Sequence, residues 1–136
     1  MSFIPDFPVD SIVDNKTLYQ SFLCKNVGGM RRAHRTNTLV HIDHTNPLYL
    51  DQWKNGCYYY TGMGRRGNQS LLFDQNRTLN ESHENGVDLH LFEVYQHNHY
   101  HYLGQVELCR DPFMEIQNDC EGNARTVWIF PLKLKN

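Results

Sequence analysis

The chain has 136 residues, 40% of them hydrophobic and 21% charged, a composition that fits one compact domain and excludes a disordered tail or a fibre. No stretch reaches the ~18 uncharged apolar residues of a membrane span. Met1 to Asp14 has neither a basic start nor an apolar run, so the sequence predicts no signal peptide and a cytoplasmic protein. The formal net charge of −2 argues against a simple nucleic-acid binder, yet it hides a gradient. From Lys25 to Arg66, seven basic residues face only Asp43 and Asp51, a local +5 that leaves −7 for the remainder. Such segregation can attract a polyanion, and it is equally compatible with charges scattered over solvated loops. Cys24, Cys57, Cys109 and Cys120 form no C-x-x-C pair and read as reduced, mostly buried thiols with no role for zinc.

In chain order, Asp14 or Asn15 to Lys25 predicts a short amphipathic helix with Leu18, Phe22 and Leu23 on one face. Val27-Gly28-Gly29-Met30-Arg31-Arg32 reads as a loop whose backbone approaches something closely. Thr38 to Asp43 reads as a strand, and His44 to Gly56, with Asn46-Pro47 and Asn55-Gly56, as a loop. Cys57 to Thr61 is a strand running into the glycine-rich Gly62-Gly64-Gly67 segment. A short helix is expected between Asp74 and Glu84, stopped at Asn85-Gly86. Strands follow at Val87 to Tyr95, His99 to Leu108 and Arg125 to Leu134. The first two are joined by a polar turn, the last two by Asp111-Pro112 and a polar loop. The reading is a mainly β (α+β) fold, a curved, barrel-like sheet with one or two helices against it.

Two clusters invite chemistry. His97, His99 and His101 alternate along a strand and, with Glu107, suggest a cupin-type metal site; the same run equally makes the exposed face of a hairpin. Tyr49, Asp51, Trp53 and Tyr60-Thr61-Gly62 put aromatic faces and one carboxylate beside the end of a strand. A flipped nucleobase is held by aromatic stacking and by hydrogen bonds to its edge, and a carboxylate suits the amino donor of cytosine. The same residues also allow core or rim tyrosines, with Asp51 closing an Asx turn. Arg31, Arg32, Arg35, Arg65 and Arg66 flank this cluster and could clamp phosphates.

Tyr60-Thr61-Gly62-x-Gly64, Gln69-Ser70-Leu71, Asn76-x-x-Leu79-x-x-Ser82 and Tyr102-x-Gly104 resemble the SRA (SET- and RING-associated, or YDG) domain. Gly28-Gly29-Met30-Arg31-Arg32, His90-Leu91-Phe92-Glu93-Val94 and Val127-Trp128-x-Phe130-Pro131-Leu132 look closest to the SRA-like domain of bacterial McrA-like, modification-dependent HNH endonucleases. The likeness spans roughly Val27 to Leu134, leaving residues 1–26 as an N-terminal segment of a single domain over 1–136.

The resemblance implies a PUA-like β-barrel that flips 5-methylcytosine or 5-hydroxymethylcytosine out of double-stranded DNA, without cofactor and without chemistry on the base. Asp51 would read the cytosine edge, Tyr60 would stack, and Thr61 and Gly62 would surround the C5 substituent. Tyr49 or Trp53 would supply the second aromatic face. Val27 with Gly28 and Gly29, and the turn through Gly64, Arg65, Arg66, Asn68 and Gln69, match the two loops that enter the DNA grooves. Asn68 stands where the family often has Asp, and Ala33 where Ser is common. Any nuclease would be an HNH module C-terminal to Asn136 or on a partner. Readers of N6-methyladenine or of a modified RNA base remain alternatives.

Overall fold

A computed structural model describes residues 3–44, 52–54, 56–64 and 67–135. Asp14 caps the first helix, α1 (Asn15–Phe22), by accepting the Thr17 N–H at 2.7 Å. The helix ends three residues earlier than predicted because Leu23 adopts the left-handed conformation (φ 58°) and closes the last turn onto Tyr19. Leu18 and Phe22, four apart, are fully buried, while Leu23 is left outside the packed face.

Among the described residues nine strands carry the fold: β1 (Ile12–Val13), β2 (Met30–Ala33), β3 (Thr38–His44), β4 (Gln52–Lys54), β5 (Cys57–Thr61), β6 (Asp88–Gln96), β7 (His99–Leu108), β8 (Phe113–Asn118) and β9 (Ala124–Leu134). The main sheet runs β2-β3-β6-β7-β9-β5-β4, with β1 on β7 and β8 on β9. All pairs are antiparallel except β3 with β6, whose connection passes through β4, β5 and the helices α2 (Asp74–Asn80) and α3 (Ser82–Asn85). This bears out the mainly β expectation, as an open path ending at β2 and β4.

β3 and β6 are covered on both faces, so adjacent residues such as Leu39 and Val40 or Leu91 and Phe92 are all buried. Leu39, Leu89 and Leu91 point inward to Tyr58, Tyr60, Leu79, Phe130 and Leu132. Val40, Ile42, Phe92 and Val94 point outward, where Leu18 and Phe22 of α1 cover them. Curvature comes in part from a bulge: Leu91 opposes Gly104 and Phe92 opposes Tyr102, so Leu103 is the extra residue. Gly104 sits there at φ 118°, where an L side chain is strained, so Tyr102-x-Gly104 marks a bend in the sheet.

Five expectations are corrected. Met30-Arg31-Arg32 is strand β2, not loop, because it pairs with Leu39 to His41. The expected loop 44–56 contains β4, paired with Cys57 to Tyr59. The polar connection before the last strand contains β8, a largely exposed strand that shows little apolar alternation. The single predicted helix is two, divided at Glu81. Nor are the cysteines mostly buried: Cys24, Cys57 and Cys109 are half-buried and Cys120 is exposed.

Candidate nucleic-acid interface

The inner face of the sheet brings Tyr60, one of the candidate pocket residues, against His41 at one end. His41 of β3 and Tyr60 of β5 are separated by three strands in the sheet order, yet their rings meet edge to face at 4.9 Å. The sheet therefore curls until its ends approach. The Tyr60 hydroxyl completes the closure by donating to the Gly29 carbonyl at 2.8 Å, which also accepts the Ile42 N–H at 2.7 Å. One carbonyl thus ties β3, β5 and the loop before β2 together. Tyr60 and Thr61 are each 4% exposed, and Trp53 stands at the rim with its ring edge-to-face against Tyr58 at 5.0 Å. Tyr49 and Asp51, expected in the same cluster, lie outside the described residues, as do Arg65 and Arg66.

Gly62 has a packing reason to be glycine. A Cβ there would come within 2.7 Å of Asn76 Oδ1 and 3.0 Å of the Phe130 ring. Asn76, fully buried on α2, accepts the Met63 N–H at 2.7 Å and donates to the Met63 and Ser70 carbonyls, each at 3.1 Å. Gln69, 8% exposed, donates to the Gly62 and Gly64 carbonyls and accepts the Trp128 N–H. The Gly62 N–H still reaches the Trp128 carbonyl of β9 at 2.9 Å, and beyond it these two amides take over from the strand ladder. Gln69, expected at DNA, is turned inward, while Asn68 beside it is exposed and accepts the Thr126 N–H.

Arg125 was invisible to motif reasoning, lying at the start of a strand among polar residues. It is 3% exposed and donates through Nη1 to the Gly64 and Gly67 carbonyls, holding both glycines. Asp119, nearby, accepts the N–H groups of Glu121 and Asn123. The Asn123 and Glu121 backbones, with that of Gly67 and the Arg125 charge, hold its carboxyl below the usual range.

The basic stretch divides. Arg31 is 3% exposed and is engaged by the protein: Nε donates to the Gly28 carbonyl at 2.9 Å, Nη1 to Asn15 Oδ1 at 2.7 Å, and the guanidinium lies over the Tyr100 ring. It therefore holds the Gly28 turn instead of presenting a charge to solvent. Arg32 is half-buried and fastens the β2–β3 hairpin through the Ala33 and Thr38 carbonyls and Asn37 Oδ1. Lys25, Arg35 and Lys54 are exposed, as are Gly28, Gly29 and Val27, the last at 71%.

The histidine run sits elsewhere. His97 and His99 are exposed at the β6–β7 turn, with His99 Nδ1 on the His97 carbonyl, while His101 contacts Asp10 at 3.3 Å. Glu107 is paired with Lys133. Among the described residues no group of three His, Cys, Asp or Glu could hold a metal ion. Nor, among them, is any helix long and apolar enough to cross a membrane.

Two buried histidines make stability pH-dependent. Desolvation, with a smaller push from His90, lowers His41 to about 3; burial, partly offset by Asp88, lowers His90 to about 4. Below the unfolded value near 6.5 the unfolded chain binds these protons and the native chain does not. Stability is thus fully present above about pH 6.5 and falls on acidification, by about 1.4 kcal/mol per pH unit for each histidine, until the folded values are reached. Urea unfolding across pH 7 to 4.5 checks this; a flat profile would contradict neutral burial of both rings.

The comparisons with known proteins fit this geometry. The SRA domain and sulfur-binding domain of ScoMcrA in complex with phosphorothioated DNA superimpose with a TM-score of 0.77 at 14% identity, over 94% of this chain and 40% of that one. The phosphorothioation-dependent restriction endonuclease ScoMcrA gives 0.73 at 12% identity, over 94% of this chain and 28% of that one, so the present chain spans well under half of either. The SUVH5 SRA domain bound to fully hydroxymethylated CG DNA gives 0.71 at 17% identity, over 99% and 93% of the two chains. At these identities the likeness is one of fold. No curated protein matches in sequence. A family model described as the ScoMcrA-like SRA domain matches residues 9–134, essentially the whole β framework and its clamped glycine turn, and on that match the chain belongs to the ScoMcrA-like SRA domain family.

Proposed function

We propose that this chain is a non-catalytic DNA reader that takes a modified cytosine, 5-methylcytosine or 5-hydroxymethylcytosine, out of the duplex into the pocket around Tyr60. It would serve as the recognition domain of a modification-dependent restriction system whose HNH nuclease lies elsewhere. The observation that carries the reading is the bond between the Tyr60 hydroxyl and the Gly29 carbonyl. It couples the strand of the base pocket to the loop that presents Val27, an exposed apolar side chain suited to fill the space a flipped base leaves. The SRA relatives bound to phosphorothioated and hydroxymethylated DNA support the ligand class.

In this proposal Tyr60 stacks on the base, Asp51 accepts the cytosine amino group, and Thr61 lines the space at C5. Tyr49 or Trp53 closes the other face. Because Tyr60 and Thr61 are each 4% exposed, base entry displaces whatever covers them, and affinity reflects stacking of ~1–3 kcal/mol against a few kcal/mol of unstacking. Lys25, Arg35 and Lys54 add a salt-dependent share.

The test is a fluorescence titration of duplexes carrying cytosine, 5-methylcytosine, 5-hydroxymethylcytosine, N6-methyladenine or a phosphorothioate, with Asp51→Ala in parallel. Tighter binding to a modified cytosine, by about tenfold over cytosine and lost in the variant, is expected. Preference for N6-methyladenine or the phosphorothioate, or equal weak binding to all five, would overturn the cytosine reading.

A further inference from the structure

Cys57 and Cys109 are 52 positions apart in sequence, yet their sulfurs lie 3.1 Å apart. Cys57 opens β5, and Cys109 follows β7 with its N–H on the Pro131 carbonyl, so the two thiols meet across β9, the strand between them. Both are half-buried and free. Neither takes part in the proposed base pocket: Cys57 lies three residues before Tyr60 on β5, so the two side chains leave opposite faces of the strand. Cys109 also lines a cavity of about 250 Å³ with His83, Glu107, Arg110, Asp111 and Lys133, large enough to admit a small oxidant.

We propose that Cys57 and Cys109 are a modification site: a dithiol that a hydroperoxide converts into a reversible disulfide. The sulfurs need approach by only about 1 Å to reach bonding distance. Cys109, which faces the cavity, attacks the peroxide oxygen as thiolate; the O–O bond breaks, an alcohol or water leaves, and Cys109 becomes a sulfenic acid. The Cys57 sulfur then attacks the Cys109 sulfur, the S–O bond breaks, and the hydroxide leaves with the Cys57 proton as water. The hydroperoxide is the two-electron oxidant, and a thiol such as glutathione reverses the step by exchange. Burial, and then the Cys57 thiol, push Cys109 up to about 11, so its thiolate is scarce at neutral pH and the oxidation is slow there and quickens as the pH rises. The link binds β5 to the β7–β8 connection and closes a long loop, constraining the unfolded chain.

The experiment treats the native chain with hydrogen peroxide, blocks free thiols with iodoacetamide in denaturant, and digests it with trypsin without reductant. The expected product joins peptide 55–65 to peptide 78–110, with an intact mass lower by two hydrogens and full reversal by dithiothreitol. The oxidised chain should melt about 5–10 °C higher, and Cys57→Ser should give neither the link nor the rise. Alkylation of both peptides after oxidation, sulfinic acid at Cys109 without a link, or a link through Cys24 or Cys120 would overturn the proposal. DNA binding is not the readout, so failure here leaves the reader function untouched.

Discussion

Asn76→Ala is expected to lower the stability of the chain by about 2–4 kcal/mol in urea unfolding and to weaken DNA binding together with it. The side chain is fully buried and makes three hydrogen bonds, so its removal leaves the Met63 N–H and the carbonyls of Met63 and Ser70 without these partners. Buried backbone groups that lose a partner forfeit about 1–3 kcal/mol each, and partial relaxation and water entry bring the sum below the simple total. The functional consequence follows from position. Gly62 keeps one bond to β9, its N–H to the Trp128 carbonyl, while Gln69 holds the Gly62 and Gly64 carbonyls and Asn76 holds the Met63 backbone between them. With one amide gone, the turn that follows Tyr60 and Thr61 loses its fixed shape. Gln69→Ala should weaken the same turn, and a double variant less damaging than the two singles added would report that they act as one clamp. A change under about 0.5 kcal/mol for Asn76→Ala would remove this account of the motif.

The second large effect is at Arg31. Arg31→Met should cost about 2–4 kcal/mol of stability, because the guanidinium is 3% exposed and its hydrogen bonds hold the Gly28 carbonyl and Asn15. Its removal unfastens the Gly28 turn from α1 and leaves the face of Tyr100 without its cation. In DNA titrations against salt, the folded variant should keep the parent's slope, since no phosphate contact is lost. Arg35→Ala is the counterpart: Arg35 is exposed, so stability should stay within about 0.5 kcal/mol while the slope falls by about 0.9 if the residue meets a phosphate. The reverse pattern, a stable Arg31→Met with a shallower slope, would mean that the buried guanidinium swings out to DNA.

Adjacent arginines thus do different work, and the difference is tertiary. Arg31 and Arg32 neighbour each other on β2, so their side chains leave opposite faces. One face is covered by α1 and Tyr100, and the other lies along the β2–β3 hairpin. Charge counted along the chain carries no such information, and this is why the +5 segment overstated what is available to a polyanion. β4 and β8 escape the sequence for a different reason: each pairs with the next strand across a short turn, but β4 has only three residues and β8 is largely exposed, so neither shows the apolar alternation that marks a strand.

The sequence by itself determined the family-level motifs, the mainly β character, the capped first helix and the two long strands around the β6–β7 turn. Those features rest on short-range physics: an aspartate three residues before a free N–H, the period-two alternation of β7 and the apolar-rich β6 beside it, and an Asn in the turn, Asn98, able to take φ 59°. Only the tertiary structure decided that Gly62 is glycine because Asn76 and Phe130 crowd it, and that Gln69 and Arg31 face inward. It alone decided that Arg125 holds Gly64 and that Cys57 and Cys109 meet across β9. Each depends on a contact between segments tens of residues apart, brought together by the curl of the sheet, and local pattern has no term for that closure.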